Sequence, residues 1–353
     1  MDAKKVRVDE SAVLASKPWI EKYRPQTLKE VQSQEEVVNA LRACISAGSN
    51  MPHMLFHGPP GTGKTSAILA AAYELFGPDY LRSRVKELNA SDDRGIQAIR
   101  DKVKNFAHGA VGSAQSKIQS DGIIYPVPNF KIIILDEADA LLPDAQAALR
   151  RMMEDFSEVT RFCIICNYVS RIIDPIASRC AKFRFKPLTR DALYARIQVV
   201  ASVEGISTSP ACLRSLDRVA RGDMRVAMMY LQAASRAHGV DLRDEDFVDV
   251  SGAVPENLFL GYVAALCSSN FGQMSTATQG LVTLGFAAAQ IVAQLHRFLC
   301  SSACSLGSVV KSVLSLKLSE TERRLVDGGD DMLQLLDIGN EFVKHAKLYS
   351  QLS

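Results

Sequence analysis

Gly58-Pro59-Pro60-Gly61-Thr62-Gly63-Lys64-Thr65 stands between apolar Met54-Leu55-Phe56 and a run of Ala, Ile and Leu helix formers. Strand, glycine-rich loop and helix in that order make a phosphate-binding loop. Its glycines let successive backbone N–H groups face one anion, and the helix N-terminus that follows adds a favourable dipole. Lys64 would reach the β and γ phosphates of a triphosphate, Thr65 would give its hydroxyl to a magnesium ion, and Ser66 follows on the helix. The competing explanation, a glycine-rich turn with a chance lysine, does not account for eight matching positions behind a strand. A nucleotide-binding α/β fold is therefore expected.

Further along, Lys131-Ile132-Ile133-Ile134-Leu135-Asp136-Glu137-Ala138-Asp139 sets four aliphatics before two carboxylates. A central strand covered on both faces explains the aliphatics. At its C-terminal end, where open α/β sheets bind ligands, Asp136 can hold Mg²⁺ while Glu137 polarises the water attacking the γ-phosphate. Adjacent strand residues point different ways, so the pair can divide these tasks. The alternative for Asp136 is a helix cap. Asn167, closing another apolar run, is either a turn residue or a donor to the γ-phosphate and its water. Ser178-Arg179-Cys180 lies after the Asp174-Pro175 turn, among Arg171, Lys182, Arg184 and Lys186. Its arginine could stabilise charge on a transferred phosphoryl group, or be a surface cation in an ordinary salt bridge.

Between Pro52 and Phe185, apolar runs at Met54 to His57, Val85 to Asn89, Lys131 to Asp136, Thr160 to Asn167 and Ala181 to Phe185 alternate with helical patterns. That rhythm predicts a parallel sheet flanked by helices. Gly109 to Val127, without periodicity, reads as an inserted surface loop. After Pro187 the strands stop, and amphipathic helices are expected over Asp191 to Val203 and Ala211 to Ala237, with a break at Gly205 to Pro210. From about Gly252 the pattern is helical again, with breaks around Phe271-Gly272, Leu284-Gly285 and Asp327-Gly328-Gly329. The predicted organisation is a nucleotide domain over 1–186, a small helical domain over 187–250 and an all-helical domain over 251–353.

The chain has 353 residues, 47% of them hydrophobic, and a mean hydropathy of +0.02, which fits globular domains with proper cores and excludes disorder as the main state. Net charge is only +2, so any affinity for nucleic acid must come from local patches. No apolar run approaches the roughly 20 residues that span a bilayer. Met1-Asp2-Ala3-Lys4-Lys5 lacks the apolar core of a secretory signal, so a soluble intracellular protein is expected. Of the eight cysteines, Cys163 and Cys166 are the only pair at metal or redox spacing. On a buried strand the two would diverge, and reduced thiols are the expectation.

Taken together, Trp19-Ile20-Glu21-Lys22-Tyr23-Arg24-Pro25, the phosphate loop, Leu88-Asn89-Ala90-Ser91-Asp92, the Asp136-Glu137-Ala138-Asp139 run, Ile165-Cys166-Asn167, Ser178-Arg179-Cys180 and Gly222-Asp223-Met224-Arg225 resemble a small subunit of replication factor C. That family is the eukaryotic sliding-clamp loader of the AAA+ class, and the resemblance covers nearly the whole chain. It implies an AAA+ parallel-sheet domain, a helical lid, and an all-α collar that assembles subunits. It implies ATP and Mg²⁺ as cofactors, and as partners the other subunits of a heteropentamer, a PCNA-like sliding clamp and primer-template DNA, in the nucleus and without a membrane. By the same resemblance Ile20 and Arg24 would line the nucleotide site, Asn167 would be the first sensor, and Arg225 the second, reaching back from the lid. Arg179 would be an arginine finger acting on the adjacent subunit. Val226 departs from the pattern, standing where members often carry a second basic residue.

Along Arg94 to Phe106, Ile96, Ile99, Val103 and Phe106 form one stripe, and Gln97, Arg100 and Lys104 a polar one beside it. A solvated helix face shows the same pattern; the family's use of such helices to line a DNA channel favours phosphate contact by Arg94, Arg100 and Lys104. Two other function classes compete: an AAA+ remodeller or branch-migration motor, and a non-catalytic scaffold that merely holds nucleotide. Intact Lys64, Asp136 and Glu137 argue against the scaffold.

Overall fold

The computed structural model describes residues 17–31, 33–46, 51–91, 96–109, 117–118, 122–220, 222–268, 270–302, 304 and 306–350. The chain divides into two compact units, Met1–Ile206 with Ala220–Gln232, and Ser207–Val219 with Ala233–Ser353.

The first unit begins with helices α1 (Trp19–Lys22) and α2 (Glu35–Ser46), then strand β1 (His53–His57) and helix α3 (Lys64–Arg84). Strand β2 (Val85–Asn89), helix α4 (Ile96–His108) and the short strands β3 (Lys117–Ile118) and β4 (Ile124–Tyr125) follow. Strand β5 (Lys131–Asp136), helix α5 (Pro143–Asp155), strand β6 (Thr160–Cys166), helix α6 (Asp174–Ala177) and strand β7 (Cys180–Arg184) complete the sheet region. Five strands pair in parallel in the order β2-β5-β6-β1-β7. Residues in β5 alternate between two cores: Ile132 and Ile134 join Phe56, Ala71 and Phe76 on one face, while Ile133 and Leu135 join Leu149, Met152 and Phe162 on the other. A strand wedged between two helical layers has no polar face to show, which is why four aliphatics run together. Cys163 and Cys166 fall in opposite cores. Burial pushes the Cys166 thiol up to about 12 and Cys163 well above its ordinary value, so both remain thiols at neutral pH.

The expected surface loop over Gly109 to Val127 is corrected at its C-terminal end, where β3 and β4 pair as an antiparallel hairpin. Tyr125 is buried there edge-on to Tyr73, and the Val127 N–H donates to the Leu75 carbonyl at 3.0 Å. An aromatic and a branched side chain hidden in a polar stretch tie the insertion to α3. At the foot of β5, buried Lys131 donates to the carbonyls of Phe106 and Gly109 at 2.7 and 2.6 Å. Those bonds fasten the C-terminal end of α4, where helix carbonyls lack partners, to the central sheet.

Beyond the sheet, α7 (Arg190–Val203) starts at Thr189, whose hydroxyl caps the Ala192 N–H. The amphipathic stretch expected over Ala211 to Ala237 comprises two helices, α8 (Pro210–Ala220) and α9 (Met224–His238). Asp223 explains the break: its carboxylate accepts the Arg225 N–H at 2.8 Å and so caps a new helix. The second unit carries α10 (Asp244–Ser251), α11 (Glu256–Cys267), α12 (Phe271–Thr283), α13 (Ala288–Cys300), α14 (Ser308–Val326) and α15 (Asp331–Ser350). Leu266, Met274, Ile291, Leu295 and Leu335 form its fully buried centre. Phe271 and Gly272, expected in a break, open α12 instead, because Asn270 caps that helix through the N–H groups of Gly272 and Gln273. Among the described residues no single helix is long and apolar enough to cross a membrane.

Candidate functional site

The phosphate loop joins β1 to α3 at the C-terminal edge of the sheet. Gly58 has φ 147° and lies so near β7 that an added Cβ would sit 2.3 Å from the Phe185 carbonyl oxygen. At Gly61, φ is 71° and a Cβ would meet the Asp223 carboxylate at 1.9 Å. Only glycine permits both the left-handed backbone and these approaches. The Lys64, Thr65 and Ser66 N–H groups open α3, where a helix has no internal acceptors, so they are donors aimed at an anion.

Lys64 is 8% exposed. Its ammonium donates to the Gly58 and Pro59 carbonyls, each at 2.8 Å, and to Asn167 Oδ1 at 2.9 Å. Burial pulls its pKa below the ordinary lysine value against the opposing pull of Asp136, and the charge of Arg225 adds to the lowering. A desolvated cation of this kind is strengthened by an incoming phosphate. Thr65 Oγ1 donates to Asp136 Oδ2 at 2.6 Å. The other carboxylate oxygen, Oδ1, takes the Glu137 N–H at 2.8 Å. A hydroxyl beside a carboxylate is an oxygen pair that suits a hard divalent cation, which binds few protein ligands and completes its shell with phosphate and water.

Glu137 has φ 53°, a left-handed conformation uncommon outside glycine and a source of roughly 1–3 kcal/mol of strain. This turn separates the two acids more sharply than strand alternation would: Asp136 faces Thr65, whereas Glu137 is exposed and lines the cavity. Asp139, to which no role was assigned, accepts the N–H groups of Asn167 and Tyr168, both at 3.2 Å. It thereby sets where Asn167 leaves β6.

One cavity, contained in the first unit, gathers Ile20, Arg24, Gly61, Thr62, Gly63, Lys64, Thr65, Ser66, Asp136, Glu137, Asn167 and Arg225 along its wall. Gly58, Pro59 and Pro60 do not line it; Gly58 and Pro59 act beneath it, holding Lys64 by their carbonyls. Tyr23, Val31, Leu188, Arg196 and Met228 also line it, without having been picked out from sequence. Tyr23 lay inside a quoted motif, but nothing local marked Leu188 or Arg196. Glu87 on β2 is a further lining carboxylate, and burial, reinforced by Asp136 and Glu21 and opposed by Arg24, raises its pKa.

Arg179 does not line this cavity. Its guanidinium pairs with Glu154 at 2.7 Å and donates to the Pro175 carbonyl at 2.7 Å, and Arg150 shares the same Glu154 oxygen at 3.2 Å. On α4, Val103 is buried, Arg100 is exposed and Lys104 is half-buried. Arg94 lies outside the described residues, as do the side chains of Ile96, Gln97 and Ile99.

Residues 54–188 match the family model "ATPase family associated with various cellular activities (AAA)", and residues 255–339 match "Replication factor C C-terminal domain". Replication factor C subunit 2 of Oryza sativa is 46% identical over 94% of this chain and 96% of its own length. For Homo sapiens replication factor C subunit 4 the figures are 47%, 91% and 86%. Subunit 2 of Saccharomyces cerevisiae is 43% identical over 92% of each chain. Among solved structures, a point mutant of Thermotoga maritima RuvB superposes with a TM-score of 0.50 at 16% identity, over 77% of this chain and 92% of that one. This last likeness is one of fold.

Proposed function

Since this chain belongs to the replication factor C family and is an AAA+ ATPase subunit of a DNA clamp loader, we propose that it binds Mg²⁺-ATP through the phosphate loop and hydrolyses it while the loader acts on primed DNA. The convergence of Lys64, Thr65, Asp136 and Asn167 through direct hydrogen bonds carries this reading. Its relatives numbered subunit 2 in rice and yeast and subunit 4 in human favour the same branch of the family for this chain.

In the proposed division of labour, the loop N–H groups and Lys64 bind the β and γ phosphates, and Thr65 and Asp136 hold the metal. Mg²⁺, when bound, neutralises charge that develops on the phosphoryl oxygens. Glu137 accepts a proton from water as the water oxygen bonds to the γ-phosphorus and the bond to the leaving diphosphate breaks. Asn167 orients that water, and Arg225 senses the γ-phosphate from α9. Ile20 and Arg24 complete the wall. Arg179 serves the neighbouring subunit's nucleotide, so hydrolysis depends on assembly. Residues 1–186, 187–250 and 251–353 act as nucleotide domain, lid and collar of a heteropentamer that opens a PCNA-like ring in the nucleus.

Arg100 and Lys104 on α4, together with Arg94, contact the phosphate backbone and read no bases. ATP turnover by the assembled complex, with and without primed DNA, tests the whole reading. Wild type is expected to be stimulated by primed DNA. Arg100→Ala and Lys104→Ala should each weaken DNA binding and reduce the log–log salt slope by about one. Unchanged affinity and slope in the double variant would remove α4 from the DNA path. A complex that turns over ATP equally without primed DNA would contradict the clamp-loading role.

A further inference from the structure

We propose that Glu204 is a positioning residue for nucleotide binding, latching the segment Trp19–Arg24 onto helix α7 and so fixing the wall of the cavity that Ile20, Tyr23 and Arg24 form. The inference rests on the nucleotide reading of that cavity.

Glu204 directly follows α7. One of its oxygens, Oε1, receives the Lys22 ammonium at 2.6 Å and the Tyr23 hydroxyl at 2.5 Å. Two turns earlier on the same helix, Arg196 donates to the Tyr23 carbonyl at 2.6 Å. Tyr23 is therefore held at both its backbone and its ring tip by groups more than 170 residues away in sequence. A third tie joins the Trp19 N–H to Gln232 Oε1 at 3.2 Å, and the buried Trp19 ring packs edge-on to Tyr23 at 6.5 Å. Through these ties α1 is fastened to both α7 and α9.

What these bonds hold in place is cavity wall. Ile20, Tyr23 and Arg24 line the cavity from one side, Arg196 from α7, and Met224, Arg225 and Met228 from α9. Glu204 and Lys22 line none of it, so they act on a ligand only through their neighbours. Lys22 and Glu204 keep 24% and 20% of their side-chain surface, so the pair is screened less than a fully exposed one. The hydrogen bond that Lys22 donates to Glu204, and after it the one with Tyr23, raise the Lys22 pKa. Burial pushes the Glu204 carboxyl up, but the bonds from Lys22 and Tyr23 outweigh it and hold the group below its usual value. Both partners are charged at neutral pH.

The latch makes no contact with the phosphate-side groups, so its loss should weaken binding and leave the chemical step alone. The test measures the dissociation constant of a fluorescent ATP analogue, and KM and kcat for ATP, on the full complex carrying Glu204→Gln, Lys22→Met or both. Each single change is expected to raise Kd and KM about tenfold, the worth of one charge-assisted pair, with kcat within about twofold of wild type. The double variant should be no worse than Glu204→Gln alone, since that change already removes the charge with which Lys22 pairs. An unchanged Kd in Glu204→Gln, or effects that multiply in the double variant, would overturn the latch. Should Glu204→Gln fail to assemble, Tyr23→Phe deletes only the hydroxyl and is expected to raise Kd about fivefold, the worth of a single hydrogen bond; no change there overturns the proposal equally. Failure of the underlying reading looks different: wild type would not bind the analogue, or Lys64→Ala would bind it as tightly.

Discussion

Lys64→Ala is expected to abolish nucleotide binding at this chain's own site, raising the dissociation constant by at least about a hundredfold. The ammonium is buried in the cavity wall, and it already makes three hydrogen bonds, to the Gly58 and Pro59 carbonyls and to Asn167. A charge-assisted hydrogen bond to phosphate contributes about 1.5–3 kcal/mol, and losing two of them exceeds the roughly 2.7 kcal/mol that a hundredfold represents. Alanine would also release Asn167, so the effect reaches both sides of the γ-phosphate position. Isothermal titration with ATP checks it, and retained tight binding would contradict the assignment. The lowered pKa of Lys64 adds a signature in pH. Affinity that depends on the charged amine is complete below its pKa in the free protein and declines as pH rises through it, so the decline should begin below the 10.5 of an ordinary lysine.

Arg179→Ala is expected to have the second large effect, on a different subunit. Arg179 stands off the chain's own cavity, tethered to Glu154 and Pro175, with more than a third of its side chain exposed. An exposed ion pair contributes at most about 1 kcal/mol, so the tether positions the guanidinium without preventing its transfer to a phosphate. Arginines supplied in trans are worth roughly 10³–10⁵ in hydrolysis rate. The variant is therefore expected to bind ATP normally at its own site while hydrolysis at the adjoining subunit's site falls at least about a thousandfold. Single-turnover measurements on complexes with one active site each resolve the two. Loss of binding at the chain's own site, with the neighbour unaffected, would reverse the assignment.

Which parts of this molecule could be seen in its sequence follows from where the determining contacts lie. Strands β1, β2 and β5 appear with bounds within a residue of expectation; for β1 and β5 this is because a strand buried on both faces writes its length as an unbroken apolar run. The phosphate loop and the acidic pair were equally legible, since each is a contiguous motif whose chemistry depends on backbone spacing. Helix breaks were harder. Asp223 ends one helix and caps the next, but a Gly-Asp pair within an amphipathic stretch does not declare which residue carries the cap. The hairpin in the insertion was missed because two-residue strands have no periodicity, and the burial of Tyr125 depends on Tyr73, far away in the chain.

In the site itself, the residues brought in by tertiary folding were the invisible ones. Asp139 sits in a quoted motif, yet its task, holding the N–H groups of Asn167 and Tyr168, exists only once β5 and β6 are neighbours. Leu188, Arg196 and Glu204 come from a segment that sequence marks only as helical. Their relation to the segment around Tyr23 is made by tertiary folding alone. The strained backbone of Glu137 was likewise unreadable, since no residue type at that position announces a left-handed turn.

The account turns on a single triphosphate and metal shared between the loop and the acidic strand end. A structure of the assembled loader with a slowly hydrolysed ATP analogue and Mn²⁺, read by anomalous scattering, addresses it directly. The account predicts a manganese peak at coordination distance, about 2.1 Å, from Thr65 Oγ1, with the Asp136 carboxylate bound directly or through one water and the Lys64 ammonium on the β and γ phosphates. A metal lodged away from both residues, or phosphates lying outside the loop, would contradict it.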